Sequence, residues 1–339
     1  MPFAHWMRCT ARLRGALALG LGALVAAPGV AAPYAYITNQ GSHDVSVIDA
    51  ASLRVVERLA VGRSPAGVAV STAGGKAFVS NPDSANISVI DLATRRTVAS
   101  LEVGGTPVGI AVSPDGARLY VADWQANTLR VFATADYRAL ADVPVGRAPA
   151  GIAVAPDGAT VFVANRDDDN VSVVDGRSLH QIATVAAGQH PFALGLSPSG
   201  RHLLALNVVS NDVTLIDAAT LRPLATIGVG RAPYGVSFDG AGERAFVTNQ
   251  QGASVSVIDL AAQRVSATWP AAEYPEGVAW EANATGTRGR LWVVSWMEDK
   301  VTIHDGASGR PLGSIPVGRN PRAFGVFLAG RGPTTAAVR

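Results

Sequence analysis

The ten residues Gly62–Ser71, "GRSPAGVAVS", return down the chain as "GGTPVGIAVS", "GRAPAGIAVA", "GQHPFALGLS", "GRAPYGVSFD", "AEYPEGVAWE" and "GRNPRAFGVF". Their prolines, Pro65, Pro107, Pro149, Pro191, Pro233 and Pro275, are each 42 residues apart, and Pro321 follows after 46. A period in the low forties suits either a helical HEAT-type pair or a four-stranded propeller blade. Hydrophobic periodicity separates the two. Between Pro107 and Gly146, short runs of Val, Ile, Leu and Tyr alternate with Gly, Pro, Asn and Asp, which spells four strands and not two helices. The "SPDG" of Ser113–Gly116 supplies the residues of a tight hairpin between the first two strands. Asp49, Asp91, Asp175, Asp217, Asp259 and Asp305 close the third strands, where an aspartate bonds the backbone of the following turn.

Seven such sheets bury both faces by packing radially, so the expected fold is all-β, a seven-bladed β-propeller of four-stranded blades. The first strand of each unit carries a small residue at one place (Ala69, Ala111, Ala153, Gly195, Ser237, Ala279 and Gly325), as crowding near an axis requires. Gly67, Gly109, Gly151, Gly235 and Gly277 permit close backbone approach. The N-terminal unit starts at its second strand, "YAYIT" from Tyr34, and the C-terminus supplies a lone first strand, "AFGVF" from Ala323. Pairing that strand with the N-terminal three closes the ring and removes its open edges.

"YITN" at Tyr36, "VFVAN" at Val161, "AFVTN" at Ala245, the "VSVID" runs and "SPDG" resemble the YVTN-repeat β-propellers, over Tyr34 to about Phe327. The resemblance implies the propeller fold. Similar propellers occur in surface-layer proteins, in proteins encoded near quinone-dependent oxidation systems, and in proteins of unassigned role.

Arg8, Arg12 and Arg14 precede an uncharged run, Gly15–Ala32, with small residues before Ala32. This reads as a signal peptide over residues 1–31, followed by the propeller over 32–330 and a short tail, 331–339. An uncleaved anchor is the alternative, and Gly and Pro28 interrupt its run. Cleavage implies a periplasmic or secreted, monomeric protein without a membrane span. It also removes Cys9, the single cysteine, and leaves 25 basic against 26 acidic residues. A chain so balanced is not expected to bind nucleic acid.

Function is sought in departures from the repeat. The loop entering each first strand and the loop between the second and third strands are expected on one face of the disc. Arg63, Arg147, Arg231 and Arg319 each follow the glycine of the phrase. Pointing inward, they would ring the channel mouth and favour a carboxylate or phosphate; otherwise they pair with a blade or stand in solvent. Gln189, His190, Phe192, Tyr234, Glu273, Tyr274, Glu276 and Arg322 fall in one sector, an aromatic and ionisable rim for a ligand or partner. Trp124, Trp296 and Met297, in the second set of loops, suit a protein contact. Asp167, Asp168 and Asp169 lack the spacing of a calcium loop and read as an acidic tip. His304 takes a place held by Ile48, Ile90, Ile216 or Ile258 elsewhere and reads as packed; His43 falls on the loop face, His180 and His202 near the other.

No haem-attachment, zinc, nucleophile-elbow or phosphate-loop motif is present. No metal or cofactor is called for, although His190 could be an axial ligand to a noncovalent haem, and a quinone is a further possibility. Three functions follow. The first is a non-catalytic binding platform for a protein partner or small anionic ligand, accessory to a quinone- or haem-linked oxidation system. The second is a lactonase- or lyase-like enzyme, or a cofactor-handling protein, with Glu276 or His190 as general base. The third, a surface-layer module, is disfavoured by the lack of a second domain or anchor in the cleaved chain.

Overall fold

In a computed structural model, which describes residues 34–283 and 289–329, seven antiparallel sheets succeed one another around an axis. The signal-peptide and tail assignments, 1–31 and 331–339, lie outside the described residues. No helix among the described residues is long and apolar enough to cross a membrane. Blade four is representative. From the axis outward its strands are Pro149–Val154, Thr160–Asn165, Asn170–Asp175 and His180–Ala186. The middle two strands are buried on both faces, with Val161, Val163, Val171 and Val174 fully covered. They therefore read as continuous apolar runs, whereas the outer strand alternates.

The repeated letters fasten the blades. Asn165 ends the second strand, donates from Nδ2 to Asn170 Oδ1 (2.7 Å) and Ser172 Oγ (2.8 Å), and accepts the Gly146 N–H on Oδ1 (3.1 Å). One amide thus joins the second strand, the third strand and the loop entering the blade, and Asn39 repeats the arrangement with Asp44, Ser46 and Gly318. The hydroxyl preceding that asparagine bonds the next blade: Thr38 to Ala66 O, Ser80 to Val108 O and Thr248 to Glu276 O. Glycine after the proline permits this proximity, since a Cβ on Gly67 would stand 2.6 Å from Val108 O, and one on Gly109 would overlap Ala150 O. The strand-ending aspartates cap their turns as expected. Asp217, for example, accepts the Thr220 N–H and hydroxyl and the Ala219 N–H, which hold its carboxyl below the usual range.

Ring closure goes further than anticipated. The C-terminal segment runs antiparallel to Tyr34–Asn39 through the bridges Ala35–Leu328 and Asn39–Pro321, completing blade one. Its core, Phe324–Val326, also forms a parallel ladder with Gly67–Ser71 of blade two. It is therefore bonded on both sides. Arg290 of blade seven adds a fastening, donating to Ala50 O of blade one (2.8 Å).

Every outer strand holds one bulge. In blade one, Val47 faces Glu57 and Ile48 faces Val55, so Val56 is the extra residue; Val98, Ile182 and Leu224 hold the same place. A bulged residue has no partner across the ladder, and these four side chains are among the exposed large hydrophobics.

Candidate functional site

The two predicted sets of loops share one face, because the arginines of the first set bond the second. Arg63 donates to Asp83 O (2.8 Å), Arg231 to Gln251 Oε1 (3.2 Å), and Arg319 to Gly41 O (3.0 Å). Arg147 pairs with Asp168 through Nε (2.6 Å) and bonds Asp167 O. Each arginine thus clasps a loop of its own blade, and the inward-facing ring at the channel mouth does not form. The physical reason is local: the bend of the following loop presents carbonyl and side-chain oxygens within a guanidinium's reach.

The predicted sector divides. Phe192, Tyr234, Glu276 and Arg322, all in the position after the proline, converge at the axis. Glu276 is 1% exposed, yet both of its oxygens are bonded. Arg322 Nε lies 3.0 Å from Oε2, and Gln250 Nε2 donates to Oε1 (2.7 Å). Burial raises the Glu276 carboxyl above its usual range, against the pull of Arg322 and Gln250. For Arg322, burial works against the charge, but Tyr234 and Glu276 outweigh it and hold the proton more firmly than usual. Burial, reinforced by Glu276, carries the Tyr234 phenol well above its ordinary value. The group joins blade six (Gln250, Tyr234), blade seven (Glu276) and the closing strand (Arg322), so its first effect is to lock the ring.

Aromatic rings complete the plug. Phe192 stacks on Tyr234 at 4.7 Å and tilts against Phe324 at 5.0 Å and Trp124 at 6.2 Å, while the Arg322 guanidinium lies 5.8 Å from the Tyr234 ring. Trp124 is half-buried, with Arg166 over its ring, and is not the freely exposed contact the sequence suggested. Phe324 was missed, although it stands where other copies carry Val68, Ile110, Ile152, Leu194, Val236 or Val278. That gain in bulk was the available signal. Asp123 was also missed: it replaces the strand-ending asparagine of other blades and pairs with Arg130 at 2.9 Å.

The rest of the sector turns elsewhere. His190 donates its backbone N–H to Asp169 (2.8 Å), and its Nδ1 is enclosed without a hydrogen-bond partner. Tyr274 and Trp296 form a separate pair, ring centroids 6.2 Å apart, and the Trp296 indole N–H donates to Gln40 Oε1 (3.3 Å). Tyr274 is 37% exposed and Met297 beside them 51%. Among the acidic residues, Asp167 pairs with Arg166, Asp168 with Arg147, and Asp169 accepts from His190. The described residues contain no cluster of metal-binding side chains. His304 is packed, bonded to Thr302 and Gly309 and depressed in basicity by burial.

A family model described as "Lactonase, 7-bladed beta-propeller" matches residues 92–176 and 135–221 of the chain. No curated protein matches it. Solved structures similar to it include Kuenenia stuttgartiensis hydrazine synthase, at 21% identity over 76% of this chain and 88% of that one, with a TM-score of 0.68. A functionally unknown protein from Desulfotomaculum acetoxidans is similar at 13% identity over 86% and 99%, TM-score 0.72. Dihydro-heme d1 dehydrogenase NirN in complex with DHE is similar at 16% identity over 89% and 76%, TM-score 0.64. At these identities the likenesses establish the propeller.

Proposed function

We propose that this protein is a secreted or periplasmic propeller that serves as a binding platform, engaging a protein partner through its proline-loop face. One contrast carries the reading. On that face the ionisable groups are used within the ring, Glu276 by Arg322 and Gln250 and the four arginines by their own blades, while Tyr274 and Met297 are exposed to solvent beside the half-buried Trp296. Aromatic and methionine side chains so placed are typical anchors of protein interfaces. A small anion is the weaker candidate, because Arg63, Arg147, Arg231 and Arg319 do not converge. Compartment follows from Arg8, Arg12, Arg14 and the apolar run behind them.

The test is a photo-crosslinking residue at Met297, with a control at Asp157 on the opposite face, in cells expressing the protein. A single adduct from position 297, lost on Trp296→Ala and absent at 157, is expected. No adduct at 297, or the same adducts from both positions, would overturn the platform.

The family-model match favours a second reading, lactone hydrolysis. Within the matched span His190 lies two residues before Phe192 of the plug, and Glu276 falls outside it. Turnover of a simple lactone, lost in His190→Ala at unchanged thermal stability, would replace the platform with an enzyme. Haem in the central channel fits poorly, since none of the described residues lining the channel carries an imidazole, thioether, thiol or phenol.

A further inference from the structure

Behind the aromatic plug, the seven inner strands enclose an axial cavity of about 620 Å³. It opens on the face away from the proline loops, among the first hairpins, where Pro114 and Pro198 border it. It runs inward as far as Phe324, whose ring packs on Phe192 and Tyr234. The channel therefore has a mouth on one face and a floor just short of the other.

Among the described residues no charged side chain lines it. Its walls are successive rows of apolar residues from different blades, such as Ile152, Leu194 and Val236 deeper in and Val154, Leu196 and Phe238 nearer the mouth. All six are only half-buried, unlike Leu204 and Leu206 on the neighbouring strand, which are wholly covered. Val326, on the closing strand, is 62% exposed although it belongs to the innermost layer. The most central side chains of the molecule are thus apolar and accessible from the axis.

Apolar surface facing an enclosed space gains by being covered, and the volume is that of pockets that hold small organic molecules. An ion entering here would shed its hydration without meeting a counter-charge. Of the polar lining residues, Ser71, Thr72 and Ser113 stand toward the mouth and Ser237 midway along; the Ser71 and Ser113 hydroxyls already bond their own hairpins, and Ser237 Oγ accepts the Trp280 N–H (2.9 Å). We infer that the channel is a binding site for an uncharged, lipophilic small molecule that enters from the hairpin face and stops against Phe324. The site lies on the opposite side of the plug from the partner face, and neither depends on the other.

The probe is N-phenyl-1-naphthylamine, neutral and fluorescent in apolar surroundings, titrated against the whole protein. Saturable binding near one equivalent is expected. Leu196→Arg should weaken it by at least about tenfold, and a sulfonated naphthylamine should bind the native protein more weakly by a similar factor, since both place a charge against an apolar wall that offers no counter-charge. Trp296→Ala, on the other face, should leave probe affinity unchanged. If Leu196→Arg fails to fold, Phe238→Ser puts the same question with a smaller side chain. Absence of saturable binding, equal affinity in a folded wall variant, or equal affinity for the sulfonated probe would each overturn the site.

Discussion

Replacing Arg322 with Met strips the buried Glu276 of the cation paired with it and keeps much of the side-chain volume. Glu276 is 1% exposed, and its remaining bonding partner is Gln250, a neutral donor. Removing one member of a buried ion pair typically costs about 3–5 kcal/mol, because the survivor is left desolvated and unpaired. With an unfolding entropy near 2.1 cal/mol/K per residue over roughly 300 residues, that loss lowers Tm by about 5–8 °C. The double variant Glu276→Gln with Arg322→Met removes both charges and should recover most of the loss. Acid helps the single variant. Glu276 is raised in the folded state, so between its unfolded and folded pKa the native protein holds a proton that the unfolded chain releases, and stability falls as pH rises through that window. Without Arg322 the folded value climbs further and the window widens upward. Melting curves at several pH values read all of this directly. A single variant within 1 °C of the parent, which is about 0.6 kcal/mol, or a double variant that loses the sum of the two single losses, would refute the clasp.

Gly109→Val should cost about 3 kcal/mol or more by urea unfolding, since its Cβ meets the Ala150 carbonyl of the next blade, while Gly228→Ala, with nothing near its Cβ, should be close to neutral. His304 is depressed by burial, so the native protein binds fewer protons there than the unfolded chain, and stability drops as pH falls through the unfolded imidazole value toward the lower folded one. His304→Ile, which restores the residue found at this place in other blades, should flatten that drop, and melts between pH 7 and 5 will show whether it does.

The fold was legible because its determinants repeat. Pro65 and its six equivalents mark the entering loops, Gly67 and its fellows mark close approach between blades, and the strand-ending aspartates mark the turns, all without tertiary knowledge. The plug was legible in part: Phe192, Tyr234, Glu276 and Arg322 were recognisable as departures at one repeated place and do meet. What escaped was direction. Nothing in the letters of Arg63 or Arg319 says whether the side chain turns to the axis or to its own loop, since that depends on where loop carbonyls fall. The second set of bonds made by Phe324–Val326 also escaped, because lateral pairing between neighbouring inner strands depends on the radius at which the ring closes.

The extra residue on each outer strand bears on how copies of this protein can meet. Seven strand edges face outward, and a regular edge invites another chain to add a strand. Val56, Val98, Ile182 and Leu224 break the hydrogen-bonding rhythm in mid-edge and add an exposed bulky side chain there. An approaching strand would lose register within a few residues. The circumference is thereby insulated against templated growth even at high local concentration, and crowding of these discs leaves only their flat sides for specific adhesion.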